Sequence, residues 1–344
     1  MPRRGGDGIR TFILRSVEGH PKDVAKVTSE HFGISRQAVS MHVRALVTEG
    51  LLEVEGSTSD RIYRARPITS HQARIAITPG LAEHDVYNKH VLPYLHGIED
   101  RVIRLCDYAM EIINNAIDHS GSDGFLVAVE RTQLKIKIRI IDDGVGIFNK
   151  IQKDFNLVDQ RQALLELAKG KLTSDPEKHS GEGIFWTSRM CDEFTIHSGR
   201  MFFTRNYERG DWLLDDMTPR VGTAVELEID PATRRDPKEV VDNFGSEYAD
   251  LGFTKTHIPL TLARHGSERL VSRSQAKRVL SRFKDFREVM LDFRGIDTIG
   301  QAFADEIFRV FRKSNPEVKL VWVNANSEIS KLIERLYYDQ PSRS

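Results

Sequence analysis

The sequence predicts a multidomain chain of α+β and α/β architecture, and three observations predict it. Residues 1–70 read as three short helices followed by a hairpin. Beyond residue 100 a long amphipathic helix gives way to strands of alternating polarity. After residue 235 strands and helices alternate one for one, the pattern of a small sheet covered by helices. The expected divisions are 1–70, a linker at 71–80, a second domain at 81–232 and a third at 235–344.

At 344 residues, with 40% apolar and 29% charged residues, the chain can support two or three cored domains. Its net charge of zero excludes a polycation, so any nucleic-acid surface must be local. Residues 1–70 hold eleven Lys and Arg against eight Asp and Glu, a surplus compatible with a DNA-binding module. Cys106 and Cys191 are too few and too scattered for a disulfide framework or a zinc cage. With no signal peptide and no apolar run near the length of a membrane span, the expectation is a cytoplasmic protein.

In the first region, residues 9–17 read as a helix, and Pro21 is expected to open a second one carrying Val24, Val27 and Phe32, closed by Gly33. Ser35 is an N-cap for a third helix over 36–49. That helix is two-faced: Val39, Val43 and Leu46 point one way, while Arg36, Gln37, Ser40 and Arg44 gather on another side. Arg and Gln near a helix N-terminus suit base edges, and Ser with a further Arg suits phosphates. Residues 51–55 and 61–64 around a Gly-Ser-Thr-Ser-Asp turn form the hairpin. The run FGISRQAVSMHVRALVTEGLLE resembles the winged helix-turn-helix of bacterial transcription regulators. The resemblance implies binding of double-stranded DNA by a homodimer, since one recognition helix reads too few base pairs. Winged helices also serve as protein-docking modules, and that alternative stays open. Pro67 and Pro79, with little periodicity between the domains, suggest the linker.

The second region opens with a helix over 85–95 and then a long one over 101–119. Val102, Leu105, Cys106, Ala109, Ile112, Ile113 and Ala116 line one face, and Glu111, Asn115 and Asp118 fall opposite. Glu111 and Asn115, one turn apart, can share a hydrated divalent cation, with the carboxylate placed to orient a nucleophile. An ordinary solvated helix face is the plain alternative. Strands follow over 125–129 and 134–141, the second alternating Ile136, Ile138 and Ile140 with Lys137 and Arg139. It runs into Asp142-x-Gly144-x-Gly146, where a carboxylate can accept an exocyclic amine and glycines admit a ligand close to the backbone. The polar stretch 148–180 reads as a mobile lid. Ser180-Gly181-Glu182-Gly183 opens a helix whose free N–H groups suit an anion, and Gly222-Thr223 leads into a strand at 224–229.

These four pieces, in this order, resemble the Bergerat-fold (GHKL, histidine kinase-like) ATPases, an α/β sandwich. The resemblance implies ATP and Mg2+ as ligands. It assigns Mg2+ to Asn115, adenine to Asp142 with support from Thr223, pocket shape to Gly144, Gly146, Gly181 and Gly183, and the general base to Glu111. His119 is placed near the phosphates, with a plain helix-end histidine as the alternative.

In the third region strands at 256–262, 288–293 and 318–323 alternate with helices at 272–283, 301–312 and 327–337. The run VMLDFRGIDTIGQAFADEIFRVF resembles the STAS domain and, more closely, a STAS-like domain of unknown function. The resemblance implies a protein partner for this region. Counting from Asp292, the position of the acceptor serine in kinase-regulated antagonists falls on Ala302, which cannot be phosphorylated. The basic start of the helix at Ser272 reads as a solvated helix end or an anion contact.

The expectation is therefore a DNA-binding regulator switched by Mg2+-ATP. The enzymatic alternatives are a Ser/Thr protein kinase of anti-sigma type, or a slow ATPase, acting with Glu111 as base.

Overall fold

The computed structural model describes residues 6–57, 60–173, 181–207, 210–214 (backbone only), 217–244, 254–264 and 268–338. The tip of the expected hairpin at 58–59 and the 174–180 part of the expected lid, with Ser180, lie outside the described residues.

Among the described residues the chain is a mixed α+β structure with three sheets. Three helices come first: α1 (Gly6–Ser16), α2 (Val24–Phe32) and α3 (Arg36–Thr48). Pro21 does not open α2, which begins three residues later, after a turn at residues 21–23. Gly33 ends α2 in the left-handed region at φ 63°. Ser35 caps α3 by accepting from the Ala38 N–H at 3.2 Å. β1 (Leu52–Glu55) and β2 (Ile62–Ala65) pair antiparallel, Leu52 opposite Ala65. The buried Val39, Val43 and Leu46 of α3 meet Ile9, Ile13, Val17, Val24 and Leu52 in a small separate core.

β3 (Thr69–Ala76) pairs antiparallel with β4 (Gly124–Arg131) along its whole length. This corrects the expected linker at 71–80, most of which is the edge strand of the large sheet. The alternation was hidden because the inward positions are Thr69, His71, Ala73 and Ile75, with one strong hydrophobe among them. His71 is held instead by stacking on Tyr94 at 4.3 Å.

α4 (Glu83–His90) follows, then a short 3-10 turn at Leu92–Leu95. The long helix expected over 101–119 is two helices, α5 (Asp100–Cys106) and α6 (Ala109–His119), separated by a turn at Asp107 and Tyr108. The apolar face survives the break: Val102, Leu105, Cys106, Ala109, Ile112, Ile113 and Ala116 are all buried. β5 (Ile136–Asp142) buries Ile136, Ile138, Ile140 and Asp142 and turns Lys137 and Arg139 the other way. α7 (Ile147–Asp154) and α8 (Gln160–Lys169) occupy most of the expected lid. That stretch is a packed helical pair, because Phe148, Ile151, Ala163, Leu164, Leu165 and Leu167 form an apolar face within a polar composition.

α9 (Gly183–Met190) leads to β6 (Glu193–Gly199), β7 (Met201–Asn206), β8 (Gly210–Leu214) and β9 (Arg220–Ile229). The large sheet has the order β3-β4-β5-β9-β6-β7-β8, and every neighbouring pair is antiparallel. Its buried side carries α5, α6 and α9, a two-layer arrangement in which one sheet face packs on helices.

α10 (Pro237–Phe244) precedes the last region. There β10 (Lys255–Pro259), β11 (Glu288–Asp292) and β12 (Lys319–Val323) form a parallel sheet, with Ile258 beside Leu291 and Leu291 beside Trp322. α11 (Arg273–Leu280) begins with a capping box between Ser272 and Gln275. α12 (Gln301–Asp305), a π-helical stretch at Glu306–Phe311 and α13 (Arg312–Ser314) run on from one another, and α14 (Ser327–Tyr338) closes the chain. The core of this region is continuous with that under the large sheet.

Candidate functional site

One cavity of about 340 Å³ lies between α6, α7, α9 and the ends of β5 and β9. Of the residues expected to bind nucleotide, Glu111, Asn115, His119, Asp142, Gly146, Gly181, Gly183 and Thr223 line it. They arrive from four separate stretches of sequence.

α6 supplies the first wall. Burial of Ile112, Ile113 and Ala116 against the sheet rolls the helix so that Glu111, Asn115 and His119 face the cavity at four-residue intervals. Glu111 is exposed, and Asn115 and His119 are half-buried. Asp118 is exposed and does not line the cavity. Gly183, at the start of α9, is where this wall meets the next: a side chain there would collide with the Glu111 carboxylate.

Asp142 ends β5 and is only 6% exposed. Its Oδ1 accepts the N–H of Gly144 at 2.9 Å and the N–H of Thr223 at 3.2 Å. Burial pushes its carboxyl above the usual aspartate range, opposed by those two backbone donors and by Arg220. Thr223 Oγ1 in turn accepts the Ile147 N–H at 3.0 Å, which ties β9 to the start of α7. Gly144 does not line the cavity. It lets the turn pass against Ser120, whose carbonyl a Cβ would strike and which accepts the Val145 N–H at 2.8 Å.

Several lining residues had no sequence signal of their own. Ser120 and Asn114 flank predicted positions, and Lys150 and Asp154 form an i,i+4 pair at 3.0 Å on α7. Leu172 and Thr173 reach the cavity just after α8. Among the described residues no group of three or more His, Cys, Asp or Glu could hold a metal alone. A magnesium ion held by Asn115 would therefore draw most of its oxygens from phosphates and water, its ordinary habit.

On the surface of the first region, Arg36, Gln37 and Arg44 are exposed along α3, while Ser40 is half-buried and donates its hydroxyl to Arg36 O at 2.8 Å. Met41, 72% exposed, stands one turn from Gln37 and belongs to the same face.

In the last region Thr298 Oγ1 accepts from Arg269 at 3.1 Å, and Ala302 is exposed. At the basic start of α11, Ser272 and Gln275 cap each other, and Arg273, its side chain 62% exposed, meets Asp305 at 3.4 Å. His257 and Asp292 pair at 3.0 Å. Burial pushes the Asp292 carboxyl up, but hydrogen bonds from His257, Asn324 and the Arg294 N–H outweigh it and hold the group at about 2.

Residues 275–330 match the STAS-like domain of unknown function (DUF4325). No curated protein and no solved structure matches the chain. The family match covers α11 to the start of α14 and leaves the cavity and the first region to be read from their own chemistry. Among the described residues no helix is long and apolar enough to cross a membrane.

Proposed function

We propose that the middle of the chain is a Bergerat-type (GHKL) ATP-binding domain, and that Mg2+-ATP bound there switches a winged-helix DNA-binding head and the STAS-like tail. The observation that carries this reading is the convergence of Glu111, Asn115, His119, Asp142, Gly146, Gly181, Gly183 and Thr223 on one cavity about 340 Å³ in volume. Asp142, a buried carboxylate whose Oδ1 is fixed by two backbone N–H groups, would accept the exocyclic amine of adenine. Asn115 would hold the magnesium ion, and the N–H groups at the start of α9 suit phosphate oxygens. Mg2+ would neutralise phosphate charge when bound. The domain would take in β3 as well as residues 81–232, and the tail would run from 235.

The head reading is supported by the exposure of Arg36, Gln37 and Arg44 on a side of α3 distinct from its core residues. A homodimer would present two such helices to duplex DNA. Phosphoryl transfer or hydrolysis with Glu111 as base is a second reading, favoured by the place of its carboxylate against Gly183 at the mouth of α9.

The deciding experiment is DNA binding by the full-length protein with ATP, with ADP and without nucleotide. A nucleotide-dependent change in DNA affinity is expected. Binding of neither ATP nor duplex DNA would remove the proposal. Under the second reading Glu111→Ala retains ATP but loses turnover; turnover at the wild-type rate would exclude Glu111 as the base.

A further inference from the structure

The end of α8 is where the cavity wall meets the STAS-like tail. Three consecutive backbone carbonyls there, of Lys169, Gly170 and Lys171, all accept hydrogen bonds from tail side chains. Thr256 Oγ1 donates to Lys169 O at 2.8 Å. Arg282 Nη2 donates to Gly170 O at 3.1 Å and also to Lys171 O. A helix leaves its last carbonyls without intrahelical partners, and here another region of the chain supplies them.

The next residue is Leu172, a lining residue of the cavity, and its N–H donates to Gly181 O at 3.1 Å. Gly181 lines the cavity too and sits so close that a Cβ there would stand 2.5 Å from the Leu172 carbonyl carbon. The chain of contacts is therefore Arg282 to Gly170 and Lys171, then Leu172, then Gly181.

Two further features set this junction apart. Lys171 and Arg282 both occupy the left-handed region, at φ 53° and 60°. For residues with a Cβ that conformation is disfavoured and persists only where surrounding contacts enforce it. Beneath them lies a buried charge cluster. Lys169, 0% exposed, bonds Glu166 and Ser281 O, each at 2.8 Å. Arg282 Nη1 stands 3.5 Å from Glu166 Oε2, and among the described residues neither atom makes a hydrogen bond.

We propose that Arg282 is a positioning residue for the nucleotide cavity, holding Gly170 and Lys171 so that Leu172 and Gly181 complete the wall and making ATP affinity depend on the tail. The inference rests on the nucleotide reading above. Coupling is reciprocal, so ATP would also alter how the tail presents its Arg282 turn to a partner.

The test measures ATP affinity by calorimetry on full-length wild type, Arg282→Ala, Arg282→Lys, Asp142→Asn and, as a tail control away from the junction, Arg269→Ala. Circular dichroism reports folding in parallel. Arg282→Ala is expected to weaken ATP by roughly tenfold, within the usual span of coupling between sites, with Arg269→Ala unchanged. Arg282→Lys keeps the charge but reaches fewer carbonyls, so an intermediate affinity is expected. If Arg282→Ala fails to fold, Arg282→Lys alone decides. Wild-type affinity in a folded Arg282 variant, with Asp142→Asn impaired, overturns the positioning role and leaves the nucleotide site standing. An equal loss in Arg269→Ala also overturns it, because the effect would then be a general weakening of the tail. No ATP binding by the wild type overturns the nucleotide reading, and this inference with it.

Discussion

The two ends of the chain are fastened to its middle in opposite ways. The N-terminal helices keep their own core, and they meet the outer face of the large sheet through charges. Glu18 bonds Lys135 at 2.6 Å and Lys137 at 3.1 Å, and Arg15 bonds Asp230 at 3.2 Å. The Lys135 and Lys137 contacts outweigh the effect of burial and hold the Glu18 carboxyl below its usual range. Among the described residues the tail has no separate core: α8 packs on β10 and the turn after it, and one apolar cluster runs from Val86 to Ile333. A charged, partly wet contact can be broken and remade without disturbing either side. A shared core cannot. The tail is thus held to the large sheet by a shared apolar core, and the head by ion pairs.

The largest effect should come from opening the shared core. Leu164→Ala in α8, at a fully buried position, is expected to cost about 2–5 kcal/mol. Urea unfolding should show it lowering a transition common to the middle and tail. Ile13→Ala in the head core should lower a separate transition. A single transition shifted equally by both would break the comparison.

A second effect concerns the buried junction alone. Burial pushes the Lys169 ammonium down to about 8, against the opposing pull of Glu166. Between that value and its unfolded value of 10.5 the unfolded chain holds a proton that the folded chain has released. Stability from this group therefore rises with pH across that window. The wild type should gain on Lys169→Met as pH climbs from 8, measured as a difference in thermal unfolding so that other titrating groups cancel. A pH-independent difference would contradict the buried charge.

Next comes the site that both ends flank. Asp142→Asn is expected to cost about 1.5–3 kcal/mol of ATP binding, the worth of a hydrogen bond to a charged group. Because burial raises the Asp142 carboxyl, wild-type affinity should fall on acidification through a pH above the ordinary aspartate range. The variant should lack that slope, and a matching slope would assign the titration elsewhere.

The smallest effect belongs to the head contact. Exposed pairs contribute about 0.2–1 kcal/mol each, and Glu18→Gln should remove part of that. Raising salt toward 1 M shortens the screening length to about 3 Å and should loosen the head while leaving the tail protected. Hydrogen exchange in α1 compared with α11 measures the contrast directly.

Much of the local structure was legible in the residues. Val39, Val43 and Leu46 fall on the buried face of α3, and Ser35 caps it. The apolar stripe through Ile112 and Ala116 set Glu111, Asn115 and Asp118 on the other side of the helix, and of these Glu111 and Asn115 line the cavity while Asp118 does not. The misses share a cause. β3 was hidden because its inward side chains are short or polar, and α7 and α8 because their apolar residues are diluted by charge. The strands β6, β7 and β8 carry no motif that marks them in the sequence.

By itself, then, the sequence determined the apolar faces of α3, α5 and α6, and the positions of Asp142, Gly146, Gly181 and Gly183 that converge on the cavity. Those features follow from periodicity and backbone sterics, which act over a few residues. Tertiary structure alone decided what Lys169, Glu166 and Arg282 do. A lysine and a glutamate three apart on a helix read as a solvated pair until a distant segment covers them. Here Ser281 and Arg282, more than a hundred residues along the chain, bring the charges out of water and set them against the wall of the cavity.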